Sequence, residues 1–152
     1  MIKPILLVED DPRDLELTLL ALERSKLANE VVVLRDGAQA LEYLRREGEF
    51  ADRDPGYPAV ILLDLKLPKV NGLEVLEAVR TNPVLRAIPV VMLTSSQEET
   101  DLVRSYELGV NAYVVKPVEF KMFVSAIADL GIFWAVHNEP PPGSFKATRT
   151  HE

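Results

Sequence analysis

Acidic, hydroxyl and lysine side chains follow directly after four short apolar runs of this sequence. They are Glu9, Asp10 and Asp11 after the first run, Asp64 after a later one, and Thr94, Ser95 and Lys116 after the last two. Carboxylates from two chain segments form a hard oxygen site that suits Mg²⁺. A carboxylate beside the metal can attack phosphorus to give an aspartyl phosphate, and a nearby hydroxyl and ammonium can bind the phosphoryl oxygens. The residue types therefore indicate Mg²⁺-dependent transfer of a phosphoryl group to a carboxylate.

Three consecutive carboxylates beside an apolar run raise a question of charge compensation. Adjacent acids repel one another and lose hydration near a core, which costs stability unless a positive charge lies close. A solvated turn at the start of a helix is the plain alternative, because the helix dipole favours acids there. Lys116 supplies the compensating charge if the fold brings it beside the first run. A solvated loop lysine is the alternative for that residue.

Five apolar runs alternate with segments of helical periodicity. The runs, which are typical of buried strands, are Ile5–Val8, Val31–Leu34, Val60–Leu63, Val90–Leu93 and Tyr113–Val115. Apolar residues recur at helical spacing over Leu15–Leu22, Ala38–Leu44, Leu73–Val79, Leu102–Leu108 and Phe120–Leu130. The alternation predicts an α/β fold with a doubly wound, five-stranded parallel sheet, a flavodoxin-like (βα)5 sandwich. Such sheets bind ligands beyond the carboxyl ends of their strands, where the polar residues stand.

Length and composition limit the function classes. The 152 residues carry 17 basic and 24 acidic side chains, and the formal charge of −7 argues against binding nucleic acid or an anionic membrane surface. Cysteine is absent, so thiolate chemistry and disulfides are excluded. The apolar start is too short for a secretory signal, and we expect a cytoplasmic protein. We assign residues 1–137 to one domain and residues 138–152, which contain a PPP run, to a flexible C-terminal tail.

Taken together, these motifs resemble a two-component response-regulator receiver domain (CheY-like) over roughly residues 2–136. The shared pattern is acids after the first strand, Asp after the third, Thr after the fourth and Lys-Pro after the fifth. The resemblance implies that Asp64 is the phosphoacceptor. It also implies a Mg²⁺ site in which Asp10 binds directly and Glu9 binds through water. Asp64 and the backbone carbonyl of Lys66 complete the protein's share of that site.

Three further residues acquire roles from the same resemblance. Lys116 pairs with the phosphoryl group, Thr94 swings toward it, and Tyr113 follows as the aromatic switch residue. Two plainer roles stay open, with Thr94 capping the next helix and Tyr113 an ordinary core aromatic. We expect Asp11 to cap the helix that begins near Pro12 rather than to bind metal.

Several segments are similar to the small single-domain receivers that partner bacterial phytochrome histidine kinases. They are ELTLLALE, VVLRDG, GEFADRDPGYP, LLDLKLPKVNG, SYELGVNAY and GIFW. This resemblance implies a light-sensing histidine kinase as phosphodonor and a receiver that dimerises. The last helix is apolar on more than one face, and we predict a homodimer through it. The residues concerned are Met122, Ile132, Phe133, Trp134 and Val136. An ordinary apolar helix end is the alternative.

The sequence predicts a single-domain response regulator that signals through a changed protein-interaction surface, and not an enzyme. We find no DNA-binding module after the receiver and expect no direct transcriptional output. The alternatives are a phosphate sink or relay intermediate, a phosphorylation-independent dimeric scaffold, and a Mg²⁺-dependent phosphohydrolase. Haloacid-dehalogenase-like phosphohydrolases need a second acid two residues after the nucleophile, and that position holds Lys66.

Overall fold

The helices and strands follow the predicted alternation closely. The computed structural model describes residues 3–25, 29–95 and 107–129. Within these ranges the strands are β1 (Ile5–Val8), β2 (Val31–Leu34), β3 (Val60–Asp64), β4 (Val90–Thr94) and β5 (Ala112–Val115). The helices are α1 (Pro12–Arg24), α2 (Gly37–Arg45), α3 (Gly72–Thr81) and α4 (Phe120–Asp129). Two of the strands extend one residue beyond their apolar runs, so Asp64 and Thr94 are the last residues of β3 and β4.

The described strands form one parallel sheet in the order β2-β1-β3-β4-β5. The chain builds β2 on one side of β1 and then crosses to the other side for β3. This reversal leaves a crevice at the carboxyl ends of β1 and β3, where doubly wound sheets bind ligands. Val8 pairs with Leu63, so the next residues, Glu9 and Asp64, stand level with each other. The predicted doubly wound, flavodoxin-like fold is confirmed.

Both faces of the sheet are covered by helices. Alternate strand residues such as Leu6 and Ile61 pack on one face in a core that includes α2 and α3. Their neighbours, such as Leu7 and Leu62, pack on the other face against α1 and α4. All residues of β1, β3 and β4 are buried. A strand buried on both faces favours apolar side chains on both faces, which explains the continuous apolar runs that precede Asp64 and Thr94.

Side-chain caps fix where the helices beside the strand ends begin. The Asp11 carboxylate accepts hydrogen bonds from the backbone N–H groups of Arg13 (2.8 Å) and Asp14 (3.0 Å), and Pro12 occupies the first turn. The predicted capping role of Asp11 is therefore confirmed. The cap satisfies donors that the first helical turn leaves without partners. It starts α1 only three residues after Glu9 and holds that first turn at the same edge of the sheet.

Gly72, the first residue of α3, lies very close to another part of the backbone. Its place after Val70 and Asn71 predicts a tight turn into the helix, and its φ lies outside the left-handed region, so positive φ is not what requires glycine here. A Cβ at this position would lie 2.2 Å from the carbonyl oxygen of Asp64 and 2.8 Å from that of Leu65. Glycine is thus required by the close approach of α3 to the end of β3, and the two elements are fixed against each other.

Part of the sequence-based prediction lies outside the described residues. It comprises the predicted helix over 102–106, the tail at 138–152 and the apolar residues of the last helix after position 129. Among the residues that the structure does describe, no helix has the length and apolar character needed to cross a membrane.

We expect the substitution Gly72→Ala to destabilise the protein by about 1–3 kcal/mol, since the added methyl group must displace backbone atoms of β3. Urea unfolding monitored by circular dichroism measures this loss. Glu77→Ala, on the exposed side of the same helix, is the matched control and should change the free energy of unfolding by no more than about 0.5 kcal/mol. Equal stability of the two variants would contradict the close-packing role of Gly72.

Candidate functional site

Three carboxylates meet at the carboxyl ends of β1 and β3. Oxygen atoms of Glu9, Asp10 and Asp64 all lie within 4.8 Å of one another. Glu9 and Asp64 are buried, and Asp10 is more exposed than either. Strand pairing sets this arrangement, because Glu9 directly follows β1 and Asp64 ends the neighbouring β3. The structure thus brings together the acids that the sequence singled out.

Lys116 brings a positive charge into contact with this cluster. Its Nζ lies 3.1 Å from Glu9 Oε1 and 3.2 Å from Asp64 Oδ1, and its side chain is only 7% exposed. A third carboxylate oxygen, Asp14 Oδ2, lies 2.8 Å away. An ammonium group has three N–H donors and no acceptor, so three carboxylate oxygens satisfy it fully. The predicted charge compensation of the acid cluster is present, and a solvated loop lysine is not what the structure contains.

The backbone around Lys116 helps to hold the ammonium in this position. Its N–H donates to the carbonyl oxygen of Thr94 at 2.7 Å, which continues the pairing of β5 with β4 beyond the strand end. The peptide bond between Lys116 and Pro117 is cis. The main-chain hydrogen bond to Thr94 thus fixes the backbone of Lys116 beside the end of β4.

Burial changes the proton affinity of both inner carboxylates. Burial raises the pKa of Glu9 to about 7, and the charge of Asp64 and a hydrogen bond with it act in the same direction. The N–H of Asp11 and the charge of Lys116 partly oppose this rise. The pKa of Asp64 is also raised, again by burial, against hydrogen bonds from Glu9, Lys116 and the backbone N–H of Lys66. Both inner carboxylates therefore retain a proton more readily than they would in water.

Lys116 stays charged in this environment. Burial by itself would lower its pKa, but the hydrogen bond to Asp14 and the charges of Asp64 and Glu9 outweigh that effect and raise it. The ammonium is therefore a permanent positive charge at the inner end of the site.

The donor set fits a divalent cation such as Mg²⁺. The three clustered carboxylates are hard oxygen ligands, and one of them is completely buried with its pKa raised toward neutrality. Unlike Lys116, which neutralises only one charge, a divalent ion would offset the remaining repulsion between Glu9, Asp10 and Asp64. Arg35 lies close by and donates a hydrogen bond to the backbone carbonyl of Asp10 at 2.8 Å. This contact holds the loop that carries the Asp10 carboxylate.

The remaining sequence-predicted residues lie around this cluster. Thr94 is buried at the end of β4, beside β3 and β5. Tyr113, on β5, is half-buried and packs against the core on the α2 and α3 side. The side chain of Lys66 is exposed, while its backbone N–H hydrogen-bonds the Asp64 carboxylate. The switch roles of Thr94 and Tyr113, and the metal contact of the Lys66 carbonyl, stay predictions.

Asp14 is the member of the site that sequence reasoning missed. It is separated from Lys116 by 102 positions, and no strand end points to it. One signal was available. Asp14 stands three residues after the N-cap residue Asp11, a spacing that puts both residues on one side of the first turn of α1. Since that turn starts at the same sheet edge as the acids, its side chains are within reach of the site.

Comparisons with known proteins agree with this geometry. The sequence matches the protein family described as Response regulator receiver domain over residues 5–128. It is 43% identical over 132 residues to the response regulator Rcp1 of Synechocystis sp., covering 87% of this chain and 88% of Rcp1. A structure of the Mn²⁺-bound form of Rcp1 is similar, with 42% identity and a TM-score of 0.71 over 87% of this chain and 92% of that one.

Two solved structures are more similar still. The bacteriophytochrome response regulator RtBRR is 80% identical, with a TM-score of 0.84 over 98% of this chain and 90% of that one. The bacteriophytochrome response regulator AtBRR is 69% identical, with a TM-score of 0.83 over 91% of this chain and 99% of that one. In both cases the likeness extends over nearly the whole of each chain.

Glu9 gives the metal-free protein a pH dependence of defined sign. Its pKa is about 7 in the folded protein against an ordinary value of 4.5. A raised pKa contributes stability that is present in full below about pH 4.5 and is lost as the pH rises through about 7. We expect the free energy of unfolding to fall between about pH 5 and pH 8 by about 1–3 kcal/mol more in the wild type than in Glu9→Gln. Urea unfolding in a chelator measures both slopes, and equal slopes would contradict the assignment to Glu9.

Proposed function

Since the chain belongs to the response regulator receiver family, we propose that Asp64 is the side chain that accepts the phosphoryl group in its signalling reaction. The protein is a receiver-type signalling protein related to the phytochrome response regulators. One observation carries the assignment to Asp64. Among the three clustered acids, it is the one at the end of a central strand that also receives both the Lys116 ammonium and the N–H of Lys66.

The proposed reaction transfers a phosphoryl group from a phosphohistidine of a sensor histidine kinase. A carboxylate oxygen of Asp64 forms a bond to phosphorus as the P–N bond of the donor breaks, and the electron pair of that bond stays on the imidazole. Glu9, Asp10, Asp64 and the backbone carbonyl of Lys66 would hold Mg²⁺, with Glu9 acting through water. The bound ion supplies positive charge against the phosphoryl oxygens. Phosphorylation and later hydrolysis take place on the chain itself, which is not a turnover enzyme in this proposal.

Lys116 and Thr94 form the rest of the proposed reacting site. The Lys116 ammonium already contacts Asp64, so it lies where it can bind an oxygen of the new phosphoryl group. Thr94, at the end of the next strand, supplies the hydroxyl for another oxygen. We propose that Tyr113 responds to the movement of Thr94, and its half-buried position on the adjoining strand supports a choice between two placements. The added charge thereby changes the surface beside β4 and β5.

The proposed partners follow from the relatives and from the charge. The names of RtBRR and AtBRR associate those proteins with bacteriophytochromes, which supports a phytochrome histidine kinase as phosphodonor of this chain. A homodimer through the last helix region is part of the proposal, although most of that region lies outside the described residues. The net charge of −7 supports a protein that binds neither nucleic acid nor an anionic membrane. A cytoplasmic location is part of the proposal.

We expect a small acyl phosphate to add one phosphoryl group to the wild-type protein in the presence of Mg²⁺, as measured by intact mass. Asp64→Asn should add none, because the amide is not a nucleophile, and removal of Mg²⁺ should abolish the adduct on the wild type. Asp52→Asn, at an exposed aspartate in the loop after α2, is the matched control and should be modified like the wild type. An adduct that survives Asp64→Asn would place the phosphoacceptor elsewhere.

A further inference from the structure

Asp14 makes the shortest contact to the lysine of the site. Its Oδ2 lies 2.8 Å from Lys116 Nζ, against 3.1 Å for Glu9 and 3.2 Å for Asp64. Its hydrogen bond is also the largest of the influences that raise the pKa of Lys116. The Asp14 side chain is 28% exposed, so its carboxylate reaches from the solvent side of the site to a lysine that is almost completely buried.

Asp14 differs from Glu9 and Asp64, the other two partners of Lys116, because it does not belong to the candidate metal site. Glu9 and Asp64 belong to the carboxylate cluster that fits a metal ion, and among the described residues Asp14 is not a member of it. In the proposed function Glu9 and Asp64 would help to hold the metal, and phosphorylation would consume one oxygen of Asp64. Asp14 takes part in neither metal binding nor phosphorylation, so its hydrogen bond to Lys116 can persist through the reaction.

The start of α1 gives Asp14 a fixed position. Asp11 accepts a hydrogen bond from the backbone N–H of Asp14 at 3.0 Å, and the N–H of Leu15 donates to the carbonyl of Asp11 at 2.9 Å. Lysine has a long side chain, and fixing its rotamers costs conformational entropy. A rigid acceptor on the side away from the reacting atoms offsets part of that cost before the donor arrives.

We propose that Asp14 is a positioning residue for phosphoryl transfer, in that its hydrogen bond holds the Lys116 ammonium against Asp64. This inference rests on the proposed function. The positioning role requires an oxygen atom at position 14 that accepts a hydrogen bond from Lys116. Asparagine at this position keeps such an oxygen and loses the charge, whereas alanine loses both, so the two variants separate positioning from simple charge compensation.

The test is the rate of phosphorylation by a small acyl phosphate at saturating Mg²⁺, followed by intact mass. We expect Asp14→Ala to lower the rate constant about tenfold, the effect of about 1.4 kcal/mol in the barrier. Asp14→Asn should lower it by less than about threefold, because the hydrogen bond is retained. Glu16→Ala, at an exposed position of the same helix, is the control and should react like the wild type.

Two further measurements distinguish positioning from a general structural effect. The affinity for Mg²⁺, measured by calorimetry, should change by less than about twofold in Asp14→Ala, because Asp14 lies outside the metal cluster. In the metal-free protein, the ammonium protons of Lys116 should exchange with water faster in Asp14→Ala than in Asp14→Asn, as seen by nitrogen-15 NMR.

The outcomes separate this inference from the proposed function. A wild-type protein that takes up no phosphoryl group, or one that does so equally well as Asp64→Asn, overturns the proposed function. A wild type that reacts at Asp64, beside an Asp14→Ala variant with an unchanged or higher rate, overturns the positioning role alone. Asp14→Asn reacting as slowly as Asp14→Ala also overturns it, since the charge would then be the property that matters.

Discussion

The structure depends on one buried cation and the three carboxylates that surround it. The Lys116 ammonium is almost inaccessible to water, and it is tolerated there only because each of its N–H groups meets a carboxylate oxygen. The carboxylates, in turn, are tolerated at the end of a core because the lysine lowers their mutual repulsion. Charges at the ends of β1, β3 and β5 and in the first turn of α1 therefore stabilise one another.

The lysine does not neutralise the site, since its single positive charge faces several carboxylates. The raised pKa values of Glu9 and Asp64 express the deficit of positive charge, because each carboxylate retains its proton more readily than in water. A divalent ion would bring positive charge into this space and offset part of that deficit.

Most of the fold could be predicted from the sequence because its elements are local patterns. The apolar runs mark the strands to within one residue, since strands buried on both faces exclude polar side chains until they end. The acids and Lys116 were predictable as a group, because a parallel sheet brings strand ends to one edge. Asp14 was not, since its contact depends on how α1 lies against the sheet. The role of Gly72 likewise depends on a distance between backbones that sequence spacing does not report.

The two-sided burial of the central strands has a consequence for how the sheet finds its alignment. In a sheet with one wet face, a shift of one residue would turn apolar side chains toward water, and this penalty selects the register. Here β1 and β3 are apolar on both sides, so a slipped pairing would lose much less hydrophobic burial. A slip by one residue would move Glu9 away from its position opposite Asp64 and break the contact that both carboxylates make with Lys116. The contacts of the charged cluster therefore favour this register of the central strands over a slipped one.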